Sequence, residues 1–154
     1  MARRIFVSFV YEDTDQVRGF YLLPWNKNLD FDFIERHLLS PADSKDPDYI
    51  KRKIREERNG TSATVVLIGE KTAKSEWVDF EIRESLAEGN AVIGIKLKGH
   101  ENAEVPPALI EAHCKIINWE PQTFGEEIER SILITGRPPL GPAPSRSGKG
   151  GCCR

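Results

Sequence analysis

Ala63-Thr64-Val65-Val66-Leu67-Ile68-Gly69, then Ser75-Glu76-Trp77-Val78-Asp79-Phe80-Glu81-Ile82-Arg83-Glu84-Ser85-Leu86, then Ala91-Val92-Ile93-Gly94-Ile95-Lys96-Leu97 decide the fold. The outer two stretches are continuous apolar runs rich in β-branched residues, the pattern of strands buried on both faces. Between them Val78, Ile82, Ser85 and Leu86 recur at helical spacing. Ser75 offers a capping hydroxyl at the start and Glu88-Gly89-Asn90 a stop at the end. Strand, helix and strand in that order make a βαβ unit with parallel strands.

The same alternation extends in both directions. Arg4-Ile5-Phe6-Val7-Ser8-Phe9-Val10 reads as a central buried strand, followed by the polar loop Tyr11-Glu12-Asp13-Thr14-Asp15. Thr14 or Asp15 is the candidate cap of a helix through about Leu23, which Pro24 stops. Asn28 to Ile34 alternates polar and apolar, a strand with one wetter face. A long polar connection follows, with His37, Ser40, Pro41 and Asp43. Asp46-Pro47 then reads as a cap and first helical position, and Asn59-Gly60 ends that helix after Arg58. Past the fourth strand come a short helical piece at Pro106-Pro107, a fifth strand at Lys115 to Trp119, and an amphipathic helix from Pro121 to Ile134. The expectation is an α/β fold: a flavodoxin-like three-layer sandwich whose five-stranded parallel sheet has order 2-1-3-4-5, with helices on both faces. Residues 1–135 form the domain. Residues 136–154, rich in Pro and Gly with little to bury, are expected to be a disordered tail.

Composition narrows the class. The 154 residues, 39% hydrophobic and 30% charged, suit one globular domain. No apolar run is long enough to span a membrane, and the start does not resemble a signal peptide, so a cytoplasmic protein is expected. The formal charge is −2, and Arg137, Arg146, Lys149 and Arg154 leave the residues before them at −6. An acidic domain lacks the basic footprint of a nucleic-acid binder. Of three cysteines, Cys114 reads as a buried thiol, and Cys152-Cys153 matches neither a disulfide framework nor a zinc site, so no metal is expected.

On a helical wheel with Val78 at the origin, the buried stripe of the central helix is centred at about 20°, with Glu81 at about 300° and Trp77 at about 260°. Glu81 thus falls at the margin of the core, close to the carboxyl ends of the strands, where open parallel sheets bind ligands. An acid early in a helix also complements the helix dipole, so structural and ligand-facing roles both remain open on pattern alone. Phe80, at about 200° on the same wheel, is expected to face solvent and is a candidate for self-association.

Val7-Ser8-Phe9-Val10-Tyr11-Glu12-Asp13, Trp25-Asn26, Asn59 to Gly69, Trp77-Val78-Asp79-Phe80-Glu81-Ile82, Gly89-Asn90 and Ile93-Gly94-Ile95 together resemble the TIR-like family. More narrowly, they resemble the TIR-like proteins of the bacterial Thoeris anti-phage defence system. The block from Thr61 to Ile95 is the specific part. The resemblance implies an enzyme that cleaves the nicotinamide–ribose bond of NAD+, which is substrate rather than cofactor. It implies a linear or cyclic ADP-ribose-derived messenger that acts on a separate effector protein. Glu81 occupies the position of the family's catalytic glutamate, Ser8 and Phe9 would line the pocket, Tyr11 and Asp13 would close its mouth, and Trp77 would pack on its wall. Self-association into a homo-oligomer is a further implication. Each of these side chains also has a purely structural reading as a core ring, loop polar group or cap. A non-catalytic TIR-like scaffold is the alternative function. A flavodoxin-like phosphoacceptor or flavin binder fits less well, because the first strand ends in no acidic pair and no phosphate-binding loop follows it.

Overall fold

The computed structural model describes residues 3–23, 31–35 and 46–135. Strands β1 (Arg3–Ser8), β2 (Phe31–Glu35), β3 (Ala63–Ile68), β4 (Ala91–Lys96) and β5 (Lys115–Ile117) form one sheet. Its order is β2-β1-β3-β4-β5 and every neighbouring pair is parallel. The expected α/β class and strand order are therefore observed. The central strands are buried along almost their whole length, which is why they read as unbroken apolar runs rather than alternating ones.

Helices cover both faces. On one, Val17 and Phe20 of α1 (Thr14–Tyr21) and Phe124 and Ile128 of α5 (Pro121–Thr135) pack on Ile5, Val7, Val65, Leu67, Ile93 and Ile95. On the other, Val78 and Ile82 of α3 (Glu76–Ala87) and Leu109 of α4 (Pro107–Glu111) pack on Val66, Ile68 and Val92. The remaining helix, α2 (Pro47–Arg58), is tied to α3 by Arg55–Glu84 at 3.0 Å and to the residue just past it by Arg58–Glu88 at 2.9 Å.

Local chemistry sets most boundaries. The Asp46 carboxylate accepts the Asp48 amide at 3.1 Å ahead of Pro47, and the Ser75 hydroxyl accepts the Val78 amide at 3.2 Å. Gly60 (φ 83°) and Gly89 (φ 81°) take the left-handed conformation just past α2 and α3. Three boundaries differ from expectation. β1 stops at Ser8, because the Val10 carbonyl accepts the Asp13 amide at 3.0 Å and the chain turns into a 3-10 segment, Tyr11–Asp13. Neither Thr14 nor Asp15 caps α1: both lie inside it, and the Thr14 hydroxyl turns back onto the Tyr11 carbonyl. β5 ends at Ile117, and Trp119 packs edge-on against Phe124 with ring centroids 5.1 Å apart. Cys114 is buried, as expected. Trp25, Asn26, His37, Ser40, Asp43 and residues 136–154 lie outside the described residues.

Gly94 lies in β4 beside Val66 and Ile116. A Cβ there would meet the Cδ1 atoms of Ile116, Ile68 and Leu109 at 2.8, 3.0 and 3.1 Å. Gly94→Val is therefore expected to overpack this face and cost about 1–3 kcal/mol. Urea denaturation checks it; an unchanged midpoint would mean the three side chains retreat freely.

A cavity of about 310 Å³ opens at the amino edge of the sheet, lined by Thr61, Ser62, Asn90 and residues near them. It lies at the opposite end of the strands from the edge where parallel sheets place their ligands.

Candidate active site

The carboxyl edge is built from four pieces of chain: Ser8 to Asp13 after β1, Gly69 to Thr72 after β3, Lys98 to His100 after β4, and the start of α3. Polar contacts hold them together. The Gly69 amide donates to the Thr72 hydroxyl at 2.7 Å, and Gln16 Nε2 donates to the Lys98 carbonyl at 3.0 Å.

Glu81 is completely buried, and the buried hydroxyl of Ser8 donates to its Oε1. This corrects the marginal position read from the wheel. The buried residues of α3 are Val78, Glu81, Ile82 and Ser85, while Leu86 is only partly buried. The buried arc runs from about 300° to about 40°, so the helix is rolled toward its Glu81 side by about 30°. The sheet explains the roll. Two buried hydroxyls, Ser8 of β1 and Thr64 of β3, lie on the α3 face of the sheet. Glu81 lands on the first and Ser85 on the second, with Thr64 and Ser85 oxygens 2.6 Å apart. A buried carboxylate without such a partner would cost several kcal/mol, so these hydroxyls decide which helix face turns inward.

The other expected site residues separate into groups. Phe9 is buried in the core on the opposite face of the sheet, in the cluster that also holds Val17, Phe20 and Leu67. Tyr11 is 53% exposed at the carboxyl edge. Trp77 is half-buried one turn before Glu81, and its ring meets Phe80 edge-on at 6.2 Å. Phe80 does not stand free in solvent as expected: it is half-buried, with the Lys51 and Arg55 cations over its ring at 5.5 and 5.4 Å.

Asp13 is pressed against the Gly69 backbone. A Cβ at Gly69 would stand 2.8 Å from its carboxyl carbon, so any other residue there makes the Asp13 side chain shift. The Oδ2 atom is buried and has no hydrogen-bond partner among the described residues. Burial pushes the Asp13 carboxyl above its ordinary range; nearby His100 and Lys71 oppose this, and Glu12 and Glu70 reinforce it. A carboxyl raised on folding favours the native state most when it is protonated. Its contribution is full below the unfolded value and is lost as pH rises through the folded one. Asp13→Asn is therefore expected to melt higher than wild type near neutral pH, with the gap closing as pH falls through the carboxylate range. Thermal melts from about pH 4 to neutrality test this, and a gap that ignores pH would contradict it.

Sequence reasoning placed Ser85 in the buried stripe of α3 but gave it no polar partner, and it missed Arg58, Thr64 and Gly69. Arg58 is buried at 1% exposure, donating from Nε to the Ser85 hydroxyl at 3.2 Å and from its two terminal nitrogens to Glu88 at 3.3 and 2.9 Å. The available signal was Thr64 and Ser85, hydroxyl residues in two apolar faces that must meet.

Among the described residues no His, Cys, Asp and Glu cluster could hold a metal ion, and no helix is long and apolar enough to cross a membrane. The family model described as "Thoeris protein ThsB, TIR-like domain" matches residues 6–102, from β1 to just past β4. The chain is also 34% identical over 107 residues to a curated protein of Bacillus cereus (strain MSX-D12) named "Putative cyclic ADP-D-ribose synthase ThsB1". That match covers 66% of this chain and 55% of the relative, so the chain spans about half the length of the curated relative it matches.

Proposed function

The chain belongs to the family of Thoeris ThsB TIR-like domains, and on that premise we propose that it is an NAD+-processing enzyme that breaks the nicotinamide–ribose bond. The product is an ADP-ribose-derived nucleotide, linear or cyclic, that signals to a separate effector protein in anti-phage defence in the cytoplasm. NAD+ is the substrate, and no resident cofactor takes part. The observation that carries the reading is the Ser8–Glu81 pair, a carboxylate held by a strand-end hydroxyl at the ligand-binding edge of a parallel sheet.

The chemistry follows from charge. As the C1′–N bond breaks, its electron pair goes to the pyridinium nitrogen, and nicotinamide leaves neutral without needing an acid. Positive charge grows on the ribose as an oxocarbenium-like centre. A fixed carboxylate beside that centre stabilises the transition state more than the ground state. Low local polarity strengthens the effect, and the Ser8 hydroxyl orients the carboxylate. A second nucleophile within the ADP-ribose moiety then captures the cation to give a cyclic product, or water captures it and releases a proton to give the linear one. The relative's name favours cyclisation.

Glu81 is closed to solvent in the resting chain, so substrate contact requires the carboxyl edge to open. Self-association is the candidate trigger. The test is to incubate the protein with NAD+, alone and at concentrations that drive assembly, and to identify products by mass spectrometry. Nicotinamide together with an ADP-ribose species supports the reading. NAD+ left intact under every assembly condition would favour the scaffold function, in which the buried pair serves only packing.

A further inference from the structure

We propose that Thr64, Ser85 and Arg58 are positioning residues for Glu81, acting through the roll of α3. The inference rests on the catalytic role proposed for Glu81, but its structural half stands on the geometry alone. Glu81 and Ser85 are four residues apart on one helix, hence stacked on one face a turn apart. The neighbouring buried residues, Val78 and Ile82, make only apolar contacts, which have no direction and resist rolling weakly. Directional contacts from this face to the sheet include Ser8 to Glu81 and Thr64 to Ser85. Two such contacts a turn apart fix the roll of this face more firmly than either does alone.

Arg58 locks the second contact. Its guanidinium holds Ser85 with one edge and the Glu88 carboxylate with the other, so a single buried group grips the last turn of α3 and the residue that ends it. Arg58 is itself anchored, because the Thr61 hydroxyl and amide both donate to its carbonyl, at 2.7 and 3.0 Å. At a side-chain radius of about 5–6 Å, a roll of about 20° moves a carboxylate by about 2 Å. A misplacement of about 1 Å can cost on the order of 100-fold in rate. The set bears on Ser85, one turn beyond Glu81, and so acts on where the charge lies.

The experiment uses the full chain with Thr64→Val, which keeps shape and removes the hydroxyl, and Thr64→Ser, which restores it. Two readouts are taken: kcat and KM for nicotinamide release, and the 13C resonance of the Glu81 side-chain carboxyl at neutral pH, assigned by its loss in Glu81→Gln. Thr64→Val is expected to lower kcat by about 10-fold or more with KM within about 2-fold. It is also expected to move the Glu81 resonance, and Thr64→Ser should restore both. Ser85→Ala, which removes the other half of the same bond and also the Arg58 contact, should cost at least as much as Thr64→Val, and the double variant should fall little below Ser85→Ala. If Thr64→Val folds and leaves both the resonance and kcat at wild-type values, the positioning role is overturned, whatever the wild type's activity. If the resonance moves and returns while no variant, wild type included, releases nicotinamide, the positioning of Glu81 stands and the NAD+-processing function is what fails.

Discussion

Glu81→Gln is expected to reduce nicotinamide release from NAD+ by about 10²- to 10⁴-fold, the range seen when a charged group aimed at a transition state is neutralised. Glutamine has nearly the same shape, and its carbonyl oxygen can still accept from the Ser8 hydroxyl, so the buried contact survives. What disappears is the negative charge opposite the developing ribose cation. The variant is therefore expected to stay folded, with a melting temperature close to that of wild type. Lost turnover with retained stability cannot be put down to unfolding. Steady-state nicotinamide release and a thermal melt on the same preparation decide it, and wild-type turnover in the variant would remove Glu81 from the mechanism.

Arg58→Ala should give a larger loss of stability than Gly94→Val, about 3 kcal/mol or more. Three costs combine. Truncation leaves a cavity where a fully buried side chain stood. The Ser85 hydroxyl loses a donor in a dry setting. Glu88 loses its forked partner, though at 51% exposure water softens that loss. Arg58→Lys should recover only part of the stability, because an ammonium cannot hold Ser85 and Glu88 together in one plane. The urea midpoint followed by circular dichroism measures both. An Arg58→Ala midpoint within error of wild type would show that the network carries no stability.

How far these features were legible depends on whether their causes are local. Ser75, Asp46-Pro47, Gly60 and Gly89 act within a few residues of themselves, so the ends of α2 and α3 could be read directly. The unbroken apolar runs of β3 and β4 identified central parallel strands for the same reason. The end of β1 was less legible, because Phe9 and Val10 are buried past the end of the strand, and hydropathy does not separate burial from membership of a strand. The depth of Glu81 was misjudged because a wheel weighted by apolar residues cannot know that Ser8, 73 positions away, waits to receive it. Arg58 was invisible for a related reason. A lone arginine near a helix end reads as solvated, and its partners lie 27 and 30 residues further on. The likeness to TIR-like proteins identified Glu81 where pattern left it open, but it said nothing of the polar set beneath.

The strand order has a consequence for the chain during synthesis. β1 sits between β2 and β3, both of which leave the ribosome after it. At about 5–20 residues per second, the roughly 55 residues between β1 and β3 mean a delay of about 3–11 s. Throughout that interval the apolar amino-terminal segment Ile5-Phe6-Val7 has at least one edge with no partner, and unpaired apolar edges template aggregation. The nascent chain is therefore most exposed before its own third strand exists, and its yield in the cell should depend on how well chaperones shield it until then.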